Sequence, residues 1–256
     1  MTRNKQEHEK KEIDENLLYG HHAVKEALLS GRVNKLFFVE ESRGKSLDEL
    51  KRIAREKKVP VKFISKQKMD SLTNGAVHQN VLVSTQPFEY LELEELLAKT
   101  DKEQAFLIVL DSLTDPHNFG SILRTSDAAG VDGVIIPKHR AVGVTPTVVK
   151  TSTGAIEHVP IARVTNLTQA MKQLKEQGYW VFGTDMKGVP YQKWQTKGKI
   201  ALIIGNEGKG MSQGLKKEVD EMITIPMSET SHVQSLNASV AASLLIYEVY
   251  RNRMNG

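Results

Sequence analysis

The chain has no cysteine and is poor in aromatics, which make up 6% of its 256 residues. The first absence removes disulfides, thiolate nucleophiles and cysteine-ligated zinc or iron–sulfur centres together, so any chemistry belongs to other side chains. Proline is sparse, at eight, and no uncharged apolar run approaches the ~18 residues that a membrane-spanning helix needs. Residues 1–16, MTRNKQEHEKKEIDEN, are almost wholly polar. They lack the apolar stretch of a secretory signal and the acid-poor character of a transit peptide. A flexible charged tail on a cytoplasmic protein is expected, with no membrane association. The eight histidines lack the paired spacing of a zinc motif and no carboxylate cluster accompanies them, so no metal site is expected. A G-x-S-x-G elbow is also missing, which leaves a Ser-His-Asp hydrolase with little support.

What remains is a globular composition, 39% hydrophobic and 26% charged, whose charge is unevenly spread. The net +4 conceals a segment, residues 17–85, with 13 basic and 7 acidic groups, followed by residues 86–103 with 2 and 6. Such a basic excess suits a polyanion such as nucleic acid, or else forms a solvated lysine-rich surface. Apolar periodicity in the basic segment predicts helices over 21–29, 46–58 and 66–72 and strands over 35–39, 61–64 and 80–84, a small α/β unit. Residues 86–103 open near a proline and are acidic, which reads as a linker, with room for a helix within it. Beyond it, strand-like runs recur at 106–110, 133–136, 179–183, 200–204 and 222–225. Helical patterns fill most gaps, one opened by Asn166 and closed by Gly178, and a long one runs from Leu236 to about Arg253. Alternating β and α elements predict a mainly parallel sheet covered by helices on both faces, with ligands outside the carboxyl ends of the strands.

Three strand-following loops hold the candidate site residues. The first runs from Asp111 to Thr125 and carries Asn118, suited to a cap, and Arg124, which is a surface cation, a partner for Asp127 or a functional group. The second, Gly205-Asn206-Glu207-Gly208-Lys209-Gly210-Met211-Ser212, allows close backbone approach to a ligand. It is not a phosphate loop, because Met211 stands where G-x-x-x-x-G-K-[ST] requires lysine. Its G-x-G-x-x-x-G echo of a dinucleotide fingerprint comes too late in the chain to open a Rossmann domain. The third runs from Met227 to Asn237, where Ser235 and Asn237 are good helix-start residues. The final helix presents a broad apolar face, Leu236, Val240, Leu244 and Tyr247 with Ala241, Leu245 and Val249 beside them, which means core, subunit interface or both.

Together DPHNFGSILRTSDAAG, IIGNEGKGMS and IPM…SLNASVAASLLIYE resemble, in order and approximate spacing, the three motifs of the SpoU (TrmH) family of RNA ribose 2′-O-methyltransferases in the SPOUT superfamily. The resemblance covers roughly residues 104–256. Segments Lys138–Gly143 and Ser152–His158 are similar to the branch that methylates a guanosine of 23S ribosomal RNA, and residues 17–85 look like that branch's ribosomal-protein-like RNA-binding domain. The resemblance implies a SPOUT-type parallel sheet with a deep trefoil knot, S-adenosylmethionine as cofactor, a homodimer with the site at its interface, and ribosomal RNA or a precursor ribosomal particle as partner. By motif match it implies Arg124 as the principal catalytic group, removing the 2′-hydroxyl proton or else gripping a neighbouring phosphate and stabilising the developing alkoxide, with Asn118, Glu207, Ser235 and Asn237 orienting it and the target nucleotide. It implies Gly205, Asn206, Gly210, Ile225, Leu236 and, at another strand end, Thr184 around the cofactor. The stretch between IPM and SLN, SETSHVQ, departs from the family's short glycine-containing loop, so a longer cofactor loop is expected. A transfer-RNA ribose methyltransferase shares the motifs. A non-catalytic RNA-binding or ribosome-assembly factor would not need all four of Asn118, Arg124, Glu207 and Asn237 together.

Overall fold

The computed structural model describes residues 17–233 and 235–254; the expected tail over 1–16 lies outside the described residues. The chain divides into two compact units, residues 1–89 with 144–154, and residues 90–143 with 155–256.

In the first unit the helices His21–Ser30 (α1), Lys45–Glu56 (α2) and Lys66–Leu72 (α3) alternate with Leu17–Tyr19 (β1), Val33–Val39 (β2), Val61–Ile64 (β3) and Val81–Thr85 (β4). The sheet order is β1-β4-β2-β3, with β3 parallel to β2 and the other pairs antiparallel. Helix α2 forms because Leu47, Leu50, Ile53 and Ala54 fall on one buried stripe. On the other side of the sheet Leu17, Val39 and Leu82 pack with Met69 of α3.

The second unit is built on Phe106–Leu110 (β5), Gly133–Pro137 (β6), Ile161–Val164 (β7), Trp180–Pro190 (β8), Ile200–Ile204 (β9) and Glu221–Thr224 (β10). These form one sheet in the order β10-β8-β9-β5-β6-β7, parallel throughout. Strands β5 and β9, FLIVL and IALII, are buried at every position, as unbroken apolar runs at a sheet's centre should be. Between the strands lie Leu93–Lys99 (α4), Pro116–Ala128 (α5), Pro146–Ser152 (α6), Leu167–Glu176 (α7) and Gln213–Lys216 (α8), and the chain's long last helix is Ala238–Met254 (α9).

Three differences from the sequence reading have physical causes. The expected linker over 86–103 is not a free connector: Leu93 and Leu96 of α4 are buried in the second unit's core. The continuous unit expected over 104–256 is interrupted, because residues 144–154, with α6, cluster with the first unit, where α6 meets α1 and β1. Strand β7 went unread: it has four residues, one of them Arg163, whose guanidinium lies 4.5 Å from the Tyr90 ring and donates to the Lys138 carbonyl. Among the described residues no helix is long and apolar enough to cross a membrane.

Candidate active site

The middle of β8, where Thr184 lies within the strand rather than at its end, and the carboxyl ends of β9 and β10 open into a cavity of about 370 Å³. Its wall is shared by these strand residues, the glycine loop after β9 and the segment leading into α9. All six positions expected around the cofactor line it: Thr184, Gly205, Asn206, Gly210, Ile225 and Leu236. Ile204, Ile223 and Leu245 add apolar surface, and the loop backbone from Gly205 to Gly210 adds polar main chain.

The glycine loop is held by its own sequence. A Cβ on Gly205 would stand 2.6 Å from the Gly210 carbonyl carbon, so the turn closes only without a side chain there, and Gly210 has a left-handed φ of +64°. Asn206 exchanges backbone hydrogen bonds with Gly210 at 3.1 and 2.8 Å. Its side-chain oxygen accepts from Gly208 N and Lys209 N at 3.0 and 3.1 Å, and its amide donates to the Ser112 carbonyl at 3.0 Å. That amide is thereby spent on shaping the loop and tying it to the segment after β5. The second tie is Asp111, buried, whose carboxylate accepts from Ser212 N at 2.6 Å and from Ser112 Oγ at 3.0 Å. Sequence reasoning passed over Asp111 as a loop residue, although a carboxylate at the end of a buried strand must find donors.

Glu207 is the hub of the polar cluster. Its Oε1 accepts from Asn118 Nδ2 at 2.8 Å, Asn237 Nδ2 at 2.7 Å and Ala238 N at 2.9 Å, and Asn237 Nδ2 also reaches Asn118 Oδ1 at 3.0 Å. Residues 118, 207 and 237, each in a different loop of the sequence, thus meet at one carboxylate oxygen. The bond from Ala238 N seats an anion at the amino end of α9, where unpaired backbone N–H groups favour it. Asn237 is also the helix cap, its Oδ1 accepting from Ser239 N and Val240 N, so the capping role foreseen for it is met by the same side chain that bonds Glu207. Asn118 is no cap: that task falls to Asp115, which accepts from His117 N ahead of Pro116.

Ser235 is exposed at the cavity rim and Leu236 is half-buried in its wall. The loop before them folds on itself, Ser228 Oγ meeting Thr230 Oγ1 at 2.9 Å and Ser231 N donating to Ser228 O. The extra length is therefore taken up outside the cavity, and Ile225 and Leu236 both stay on its wall. Arg124 stands apart. It projects from α5 into solvent, does not line the cavity, and forms neither the foreseen pair with Asp127 nor a hydrogen bond to another described residue. A pair that sequence reasoning missed sits at the cavity edge: Lys216 Nζ lies 2.8 Å from Asp185 Oδ2 and holds that carboxyl below its ordinary range. No local signal joins two residues so far apart in the chain. Among the described residues no group of three His, Asp or Glu side chains is arranged to hold a metal.

Fold and site define an α/β protein with a cavity of small-molecule size at the edge of a parallel sheet, beside a carboxylate–amide cluster. The chain belongs to the SpoU rRNA methylase family, whose profile matches residues 105–247. Residues 17–91 match a second profile, RNA 2′-O ribose methyltransferase substrate binding. A Staphylococcus haemolyticus protein named as a TrmH family tRNA/rRNA methyltransferase is 47% identical over 94% of this chain and 97% of its own length. The SpoU methyltransferase AviRb from Streptomyces viridochromogenes, solved in complex with AdoMet, is similar with a TM-score of 0.78 at 26% identity, over 95% of this chain and 92% of that one. The A. aeolicus TrmH/SpoU tRNA modifying enzyme is similar over 64% of this chain and 83% of its own, with a TM-score of 0.54 at 26% identity.

Proposed function

We propose that this protein methylates a ribose 2′-hydroxyl of RNA, a guanosine of 23S ribosomal RNA before a transfer RNA, with S-adenosylmethionine as donor. The observation that carries the reading is the Glu207 cluster standing beside a cavity whose chemistry fits that cofactor. The volume falls in the range of small-molecule sites. Apolar walls suit an adenine ring, bare loop backbone supplies hydrogen bonds to its edge and to a ribose, and the Asp185–Lys216 pair offers both charges to a zwitterionic amino-acid end. When bound, the cofactor supplies an electrophilic sulfonium methyl for in-line attack by the ribose oxygen.

The chain's own part is alignment and charge. Thr184, Gly205, Asn206, Gly210, Ile225 and Leu236 hold the donor. Glu207 fixes Asn118 and Asn237, and with Ser235 at the rim they present polar atoms where the nucleotide would enter. A guanidinium is a strong phosphate grip and a poor base, so Arg124 grips the substrate phosphate and stabilises the developing 2′-alkoxide. Because Arg124 lies outside the cavity of its own chain, the reading includes a homodimer that completes the site. It is supported by Val240, Leu244, Tyr247 and Tyr250 of α9, all between 39% and 47% exposed, which line an open apolar hollow of about 840 Å³. The family's trefoil knot belongs to the same proposal, supported by the middle of β8 and the segments after β9 and β10 closing around one cavity. The first unit, with its basic excess, receives the RNA.

The test is methyl transfer from labelled S-adenosylmethionine to unmodified 23S RNA, with the modified nucleotide mapped, for the wild type and Arg124→Ala. One 2′-O-methylated guanosine, with a loss of roughly 100-fold or more in the variant and cofactor affinity retained, is expected. Transfer only to transfer RNA would reassign the substrate, and cofactor binding without transfer to any RNA would favour the assembly-factor alternative.

A further inference from the structure

Strand β3 is the outermost of the first unit's sheet and has no partner on its far side among the described residues. Its ladder to β2 begins with Leu36 N donating to Pro60 O and closes with Glu40 N donating to Ile64 O. By alternation along a parallel ladder, Val61 and Phe63 turn their own N–H and C=O groups outward to the open edge. Their side chains are also uncovered, at 41% and 53% exposed. A solvent-facing phenylalanine on an open edge is a hazard that proteins usually avoid.

This ring is rigidly backed. Phe63 stacks on the fully buried Phe38 with centroids 6.1 Å apart and planes at 30°. Phe38 in turn lies 5.4 Å from Lys51 Nζ of α2, which also reaches Asp48 at 3.5 Å. One turn beyond Lys51 on the same helix face stands Arg55, exposed, and Lys57 and Lys58 follow in the turn that feeds β3. The nearby acids are partly neutralised: Glu56 pairs with Arg52 and Glu49 with Lys25. Glu40 and Glu41 lie past the opposite end of β2, beside Ile64, so positive charge collects at the Val61 end of the edge.

We propose that the open edge of β3 is a binding site for an unpaired stretch of RNA, with Phe63 as the platform on which one base stacks and Arg55, Lys57 and Lys58 as its phosphate contacts. A π face backed by a second ring needs no ordering on binding, and stacking accepts any base. An A-form duplex hides its base faces and would gain only the phosphate contacts. The charge favours a polyanion over an added peptide strand, which would use the same outward N–H and C=O groups without needing cations. The inference rests on the first unit being the RNA-receiving part of the protein.

The experiment measures binding of the full-length protein to a labelled short oligo(A) RNA and to an RNA duplex of equal length, with Phe63→Leu, Phe63→Trp and Arg55→Gln. Phe63→Leu should weaken the single strand by roughly tenfold or more and leave the duplex and the thermal midpoint unchanged, while Phe63→Trp restores affinity. Arg55→Gln should reduce the slope of log affinity against log salt by about one contact's worth, ~0.7 for a single strand. Unchanged oligo(A) affinity in Phe63→Leu would overturn the site while leaving the RNA reading intact, and would return the edge to a peptide partner. Equal losses on both RNAs, or a lowered midpoint, would make Phe63 merely structural. A wild type that binds neither RNA would remove the RNA reading itself and the site with it.

Discussion

Asn237 does two separable things with one side chain. Its Oδ1 caps α9 and its Nδ2 bonds Glu207 and Asn118. Asn237→Ala should therefore cost about 1 kcal/mol in a denaturant melt, the usual worth of a cap. Asn237→Ser, which keeps a capping oxygen but loses the amide donor, should regain most of that stability and still lose methyl transfer. Recovery of activity with the serine would show that the cluster needs only the helix end. Gly205 answers to sterics alone. In Gly205→Ala the new methyl meets the Gly210 and Met211 backbone at 2.6 and 2.7 Å, and overpacking of this kind costs ~1–3 kcal/mol. A lowered midpoint together with lost cofactor binding in calorimetry is the expected outcome, because the glycine loop is the cavity wall.

At the scale of elements, α9 is buried along Ala242, Leu245, Ile246 and Val249 and leaves Val240, Leu244 and Tyr247 in solvent. If the proposed homodimer forms through this face, Leu244→Asp should leave the monomer folded, since the side chain is already 40% exposed, and should shift sedimentation from dimer to monomer with loss of transfer. The elements themselves were largely legible. Unbroken apolar runs marked β5 and β9, a 3.6-residue stripe marked α2, and the Asn166 side chain does accept from Gln169 N to open α7. Strand β7 and the far half of β8 escaped for one reason: pairing, not local pattern, makes them strands. Beyond Gly183, β8 carries Asp185 and Lys187, and its register against β10 jumps from Gly183 opposite Met222 to Val189 opposite Ile223. The site was legible as far as motif order reached. Loop sequences named Asn118, Glu207 and Asn237, but only the fold shows that they meet on a single oxygen atom, and nothing local disclosed the Asp185–Lys216 pair.

At the scale of the whole molecule, two paired carboxylates contribute to the response to acid. Asp101 is held below its ordinary range by its hydrogen bond with Lys199, and Asp185 by its bond with Lys216. Each binds protons less readily folded than unfolded, so their stabilisation is present above the ordinary carboxylate range and is lost as pH falls through it. A thermal midpoint that stays level from pH 7 to about 5 and declines below about 4 is expected, with a shallower decline in Lys216→Met. A midpoint rising on acidification would contradict the assignment. The interrupted boundary between the units matters at an earlier moment in the protein's life. Since residues 144–154 cluster with the first unit, a ribosome delivers β5, α5 and β6 before α6 can dock there. In vectorial synthesis the last piece of the first unit therefore emerges only after part of the second.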